Sequence, residues 1–424
     1  VIPTQAATVR PGTWVPSLPL PPLLFLASIA MAISFMAILP GRFQSNENSD
    51  YRIEFEPVAR NVMAGRGISD AKGRVAVRHP PGYPVTLAGL FGLARIAGLS
   101  EAAAISAFGV LCFAASTVQV YALANLIWAS HLAVVAWMAW ATYPLALWFL
   151  KQPNSELPFL VLLYAALYVF LSAVLQARPR LGRFMLAGAL IGLAMLFRQI
   201  AMFVPLALAA ALWMAWRHSP ARRVWLPGSA ALCLGAALAL LPWHVYVLAR
   251  SGRVVAITAG SEIGVRDGLT FAVRSKGFRE PLQVSPRVEA LMRRFSAQYE
   301  RIQPPLAAAR AVVVELRRDP RAVAELFGLK IVRAWYATDS HRYELHLLAL
   351  QALYLPLCAW GAWAARRHSA RARCAAVVVL AVVGCFWGMS AAINPLMRYM
   401  VPGMGLLFVL LPGVFVRARS ASFS

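Results

Sequence analysis

The sequence predicts an all-α polytopic membrane protein with about ten transmembrane helices and two helical outer loops. Three observations predict it. Of 424 residues, 60% are hydrophobic and only 14% are charged, against roughly a quarter charged in soluble domains; mean hydropathy is +0.63. The apolar residues gather into runs near the ~20 residues that cross a bilayer as a helix. The charges sort by sign along the chain, basic and acidic loops alternating between those runs.

Taken in order, the runs are 20–40, 102–128, 131–150, 157–176, 184–197, 201–216, 224–250, 344–364, 375–393 and 399–416. The first reads as an uncleaved helix, because its apolar core exceeds the ~7–15 residues of a signal-peptide core. Segment 85–100 is apolar but short and carries Arg95, so it is expected to lie at the outer interface. The loops "ARPRLGR" (177–183), "RHSPARR" (217–223) and "ARRHSARAR" (365–373), with the tail "RARS", hold arginines and no acid. By the positive-inside rule they are cytoplasmic, and ten spans put all of them on one side. The 17 acids fall only at 47–70, 101, 156 and 262–344, which the same topology places outside. Carboxylates gathered on one face of a membrane protein point to a site there.

The organisation that follows is a cytoplasmic segment 1–19 and an N-terminal membrane module 20–250 whose first outer loop is 41–100. A large outer loop 251–343, membrane helices 344–416 and a cytoplasmic tail 417–424 complete it. In the first loop, "DYRIEFEPVARNVMAG" suits a short helix that Asp50 caps and Gly65 and Gly67 end. In the second, Asp319-Pro320 has the pattern of a helix start. The five cysteines lie in or beside apolar runs, so neither disulfides nor a cysteine metal site is expected. The net charge of +24 accompanies no nucleic-acid motif and is assigned to topology and anionic lipid. "GSEIGVRDG" lacks the flanking elements of a phosphate-cradling loop. No nucleotide cofactor is expected, and a divalent metal stays open.

Five motifs stand in order: "SDYRIEFEPVARNVMAGRG", "RHPPGYP" (78–84), "YPLALWFLKQPNSE" (143–156), "LLPWHVYVLARSGRVVAITAGSEIGVRDG" (240–268) and "NPLMRYMVP" (394–402). Their arrangement resembles the GT-C glycosyltransferases. The nearest branch is the bacterial enzymes similar to protein mannosyltransferases and lipid A aminoarabinose transferases, glycosyltransferase family 39-like. The resemblance implies an enzyme taking sugar from a polyprenyl-phosphate carrier and passing it, with inversion, to a lipid, glycan or protein at the outer face. It implies a catalytic acid in the first outer loop, which Asp50 matches. Many relatives carry a second acid next to it, where this chain has Tyr51, which leaves that position's role open, with Glu47, Glu54 or Glu56 as the neighbouring acids to consider in its place. Glu156 matches an acid that relatives place near the pocket.

The substrate-binding candidates are Arg78, His79, Tyr83, Lys330, Arg333, Arg398 and Tyr399. Each has a plainer reading. Asp50 caps a helix, Glu156 meets a helix dipole, Arg78, His79 and Arg398 snorkel, and Lys330 and Arg333 pair with Glu325 or Asp339. Trp335 is read as an interfacial aromatic. The alternative functions are a transporter or flippase of lipid-linked glycans, which favours internal repeats, not seen here, and mid-membrane charge, of which the apolar runs hold little, and a non-catalytic scaffold. A bacterial inner membrane with the site facing the periplasm is the expected setting.

Overall fold

A computed structural model describes residues 19–41, 50–176, 179–217, 222–259, 261–273, 282–302 and 305–416. Segment 1–18, Glu47 and the tail 417–424 lie outside them. Each of the ten apolar runs falls on helix. Among the described residues, seven helices are long and apolar enough to cross a membrane, and an eighth span is formed if a bent pair counts as one. The long ones are α1 (Leu20–Ile38), α4 (Glu101–Asn125), α7 (Glu156–Val174), the run Gln199–Trp216 that includes α9 (Val204–Trp216), α10 (Arg222–Ser251), α15 (Glu344–His368) and α16 (Ala370–Ala392). The bent pair is α5 (Ser130–Ala141) with α6 (Pro144–Trp148) and its 3₁₀ continuation, broken by 50°. Pro144 stands at the second half's first position, where its missing N–H costs no helix bond.

Two of the ten predicted spans are shorter apolar helices that do not reach the length of those seven. At 15 residues, α8 (Leu181–Met195) rises roughly 22 Å, less than the ~30 Å apolar core. The last run is α17 (Val401–Phe408) followed by a 3₁₀ turn, Leu411–Phe415. Outside the spans lie α2 (Glu56–Met63) and α3 (Gly82–Ala97) in the first loop. The second loop holds α11 (Ser261–Thr270), α12 (Pro286–Ala297), α13 (Pro305–Arg318) and α14 (Pro320–Arg333). The expected start at Asp319-Pro320 is observed: the Asp319 carboxylate accepts from the Ala322 N–H at 3.0 Å.

Lipid tails are as apolar as leucine, so membrane helices associate through close packing and internal hydrogen bonds. Ser28 and Thr117 hydroxyls meet at 2.7 Å, and Trp137 Nε1 donates to Ser28 at 3.0 Å. The tightest crossing joins α8 to α10. A Cβ on Gly188 would stand 1.9 Å from the Leu232 carbonyl oxygen, and one on Gly235 would stand 2.0 Å from that of Met185. Gly188→Ala is therefore expected to force the helices apart at a cost of about 3 kcal/mol, read as a lowered thermal midpoint in detergent.

The predicted outer loops meet at one end of the bundle. The Gly82 N–H donates to Leu196 O at 2.7 Å, that of Ala259 to Val77 O at 2.7 Å, and that of Ile68 to the Tyr246 hydroxyl at 2.8 Å. The predicted inner turns meet at the other: Trp128 Nε1 reaches Val409 O at 2.9 Å, and its ring lies 5.4 Å from that of His368.

Candidate active site

The chain enters the first loop through a π-turn, Tyr51–Phe55, which runs into α2. The expected helix is there, and Gly65 and Gly67 end it at φ of +71° and +74°. The expected cap is not: the Asp50 side chain accepts no hydrogen bond from the helix N–H groups. The wider turn brings Phe55 inward, 7% exposed, with its ring edge-on to His79 and to Tyr83, both at 5.2 Å. Pro80-Pro81 then hands the chain to α3 against the end of α8. A Cβ on Gly82 would lie 2.6 Å from Leu196 O, so only glycine permits this approach.

His79 marks the centre of the site. Burial pushes its imidazole down to about 4. The Asp50 carboxylate opposes that shift, and the Arg78, Arg198 and Arg398 guanidiniums reinforce it. One acid and three cations therefore act on a ring that stays neutral at pH 7. The sign of the linkage follows. The unfolded chain protonates this ring near 6.5 and the folded chain near 4, so stability falls by roughly 3 kcal/mol as pH drops through that window. His79→Asn is expected to flatten the loss, measured as thermal midpoints at pH 7 and pH 4.5.

Beside this ring, Glu156 and Arg198 form a mostly buried ion pair at 2.6 Å, their side chains 12% and 15% exposed. Asn154 Oδ1 caps α7, accepting from the N–H groups of Glu156 at 3.1 Å and Leu157 at 3.3 Å. Glu156 is thereby fixed at the helix mouth, and Arg198 also reaches the Ser155 hydroxyl at 3.3 Å. The Tyr399 ring faces two guanidiniums, Arg198 at 5.6 Å and Arg398 at 5.1 Å. Arg398 donates to the Tyr399 hydroxyl at 3.1 Å and stands 3.6 Å from Asp339. Its Nε is buried with no hydrogen-bond partner among the described residues. The Tyr83 phenol is raised by burial, then by the nearby Glu156 and Tyr51.

Asp50, Glu156, Arg78, His79, Tyr83, Arg398 and Tyr399 thus share one neighbourhood. Arg78 also pairs with Glu54 at 2.6 Å, and Glu56 pairs with Arg60 at 3.0 Å. Lys330 and Arg333 stand elsewhere. Lys330 is fully buried, and its ammonium donates to the carbonyls of Ala392 at 3.1 Å and Ile393 at 3.2 Å, the end of α16. Arg333 grips Glu344 with two bonds, 2.9 and 3.0 Å, rather than Glu325 or Asp339. Trp335 packs on Trp387 at 5.5 Å. The sequence reading missed Arg198; its signal was a lone arginine between two apolar runs on the acidic side. Among the described residues, no three His, Cys, Asp or Glu side chains converge to hold a metal ion.

Residues 78–246 match the family model described as dolichyl-phosphate-mannose-protein mannosyltransferase. No curated protein sequence matches the chain. Among solved structures, it is similar to the oligosaccharyltransferase AglB of Archaeoglobus fulgidus in complex with an inhibitory peptide and a dolichol-phosphate. That match has 14% identity and a TM-score of 0.55, and it covers 93% of this chain and 50% of that one. The same archaeal enzyme tethered to an acceptor peptide containing the NVT sequon gives 13% identity and a TM-score of 0.54, covering 93% and 49%. ArnT of Cupriavidus metallidurans bound to undecaprenyl phosphate gives 13% identity and a TM-score of 0.43, covering 92% and 76%. The chain spans about half the length of the archaeal enzyme. With its fold matched over most of its length and a family pattern over 78–246, the protein is an all-helical membrane protein whose fold is similar to that of the archaeal oligosaccharyltransferase and whose residues 78–246 resemble the dolichyl-phosphate-mannose-protein mannosyltransferases.

Proposed function

We propose that the protein is an integral membrane glycosyltransferase that moves a sugar from a polyprenyl-phosphate donor to a lipid, glycan or protein acceptor, with inversion and with Asp50 as general base. The observation that carries the proposal is the convergence of Asp50 with His79, Arg198 and Arg398 at the one end of the bundle where the outer loops meet. The family match and the dolichol-phosphate in the archaeal relative support the donor class.

The chemistry needs these groups. An acceptor hydroxyl is a poor nucleophile, and the Asp50 carboxylate takes its proton as the oxygen bonds to the anomeric carbon. The bond from that carbon to the phosphate oxygen breaks, and the lipid phosphate leaves with the electron pair. Arg198 and Arg398 face the charge that develops there; the buried, unpartnered Nε of Arg398 is a donor ready for an oxygen. Glu156 holds Arg198 in place. His79 is neutral at pH 7, so it adds no competing positive charge beside the base. The inner membrane of a bacterium, with this end facing the periplasm, is the setting the arginine and acid distribution supports.

The test is transfer itself. Purified protein is incubated with a panel of radiolabelled polyprenyl-phosphate sugars and membrane lipid, glycan and protein fractions, and label in the acceptor is counted. Transfer from at least one donor is expected. Donor binding with no transfer to any fraction would instead favour a transporter of lipid-linked sugars.

A further inference from the structure

A cavity of about 830 Å³ opens beside this site, a size typical of ligand pockets. Its floor includes Glu54, Phe55 and His79, so it borders the centre described above. One wall is the turn 66–77, and the other is the end of α10 from Tyr246 to Ser251 with Arg253 and Val255 just after it. Both walls are built. In the turn, Ser69 pairs with Val75, and Asp70 Oδ1 accepts from the N–H groups of Lys72 at 2.8 Å and Arg74 at 2.9 Å. Buried Asn61 supports it from behind, donating to Ser69 O and Asp70 O, each at 2.9 Å. The Tyr246–Ile68 bond joins the walls.

The lining is unbalanced in charge. Arg66, Lys72, Arg74, Arg78, Arg250 and Arg253 face only Glu54 and Asp70. Both acids are already paired, Glu54 with Arg78 at 2.6 Å and Asp70 with Arg74 at 2.9 Å. Arg66 donates to the neutral Asn61 Oδ1. Four cations are thus left without a carboxylate partner among the described residues, in a cleft whose walls focus their field. Of its lining, the turn residues Ala71, Lys72, Gly73 and Arg74 are exposed. Arg198 and Arg398, the cations assigned above to the donor phosphate, do not line this cavity.

We infer that this cavity is the acceptor subsite and that the acceptor carries an anionic group, phosphate or carboxylate, near the hydroxyl that receives the sugar. The inference rests on the glycosyltransferase reading for the word acceptor, and on the cavity alone for the anion.

The experiment uses the full chain in detergent and a matched pair of probes, a hexose 1-phosphate and the uncharged methyl hexoside, with affinity read by calorimetry. Wild type is expected to bind the phosphate about tenfold tighter, the factor of one charge-assisted contact, with the preference shrinking as salt rises. Lys72→Glu/Arg253→Glu, two exposed positions, is expected to erase the preference. Lys72→Gln/Arg253→Gln, expected to reduce it, serves if the reversed variant fails to fold. Equal affinity for the two probes, or a preference that survives the double variant, overturns the inference. Displacement of the hexose phosphate by polyprenyl phosphate overturns the acceptor assignment and gives the cavity to the donor. Short-chain phosphatidic acid is a third probe; whichever phosphate binds tighter names headgroup or glycan as the source, and either result supports the anion site. Transfer without anion selectivity overturns this inference alone. Anion selectivity without any transfer overturns the enzyme reading and the acceptor role together.

Discussion

Asp50→Asn is expected to lower sugar transfer by about 100- to 10,000-fold while leaving donor affinity unchanged. The substitution keeps size and hydrogen-bonding capacity and removes only the proton acceptor. Asp50 is not capping the π-turn that follows it, so the fold loses no cap. It sits next to His79, whose low-lying imidazole cannot take over as a cation partner at neutral pH. The loss therefore belongs to kcat, and donor binding measured by equilibrium dialysis is the control. Equal transfer by wild type and variant would make Asp50 a structural residue and move the base to Glu54, the next acid on the same turn.

The second large effect concerns Glu156 and Arg198. Removing one member of a buried pair strands the other, which costs about 3–5 kcal/mol, whereas removing both with matched volume is close to neutral. At 12% and 15% exposure this pair belongs near the lower end. Glu156→Gln and Arg198→Met are each expected to lower the thermal midpoint, and the double variant is expected to recover much of it. Transfer should behave differently. It should fall in Arg198→Met and stay low in the double variant, because the cation proposed to face the leaving phosphate is gone. Recovery of transfer along with stability would make the pair purely structural.

Much of this was legible in the sequence, and what was hidden has physical reasons. Apolar run length is a local property, so all ten runs landed on helix. The break at Tyr143 was signalled only by Pro144, and run length alone does not register a 50° bend. Asp50, His79, Glu156 and Arg398 came together because each sits at a helix end on one side of the bundle. Lys330 and Arg333 did not. Their spacing showed that they share a helix face, but not what the face meets, and it meets helix-end carbonyls and Glu344. Arg198 was hidden because its partner lies on another helix, and pairing across helices leaves no trace in a local pattern.

The buried Lys330 has a consequence for how the chain is made. Its acceptors, the carbonyls of Ala392 and Ile393, are synthesised some sixty residues after it, with two complete spans between. Burying the Lys330 amine before those oxygens arrive would leave it without hydrogen-bond partners, at a cost. The loop helix is therefore expected to dock only after the hairpin of Glu344–His368 and Ala370–Ala392 has formed. Closure of the outer loop thus reports that insertion of this hairpin is complete. A ribosome stalled before residue 392 would hold a chain whose outer loop is open to protease, and one stalled well beyond it would not.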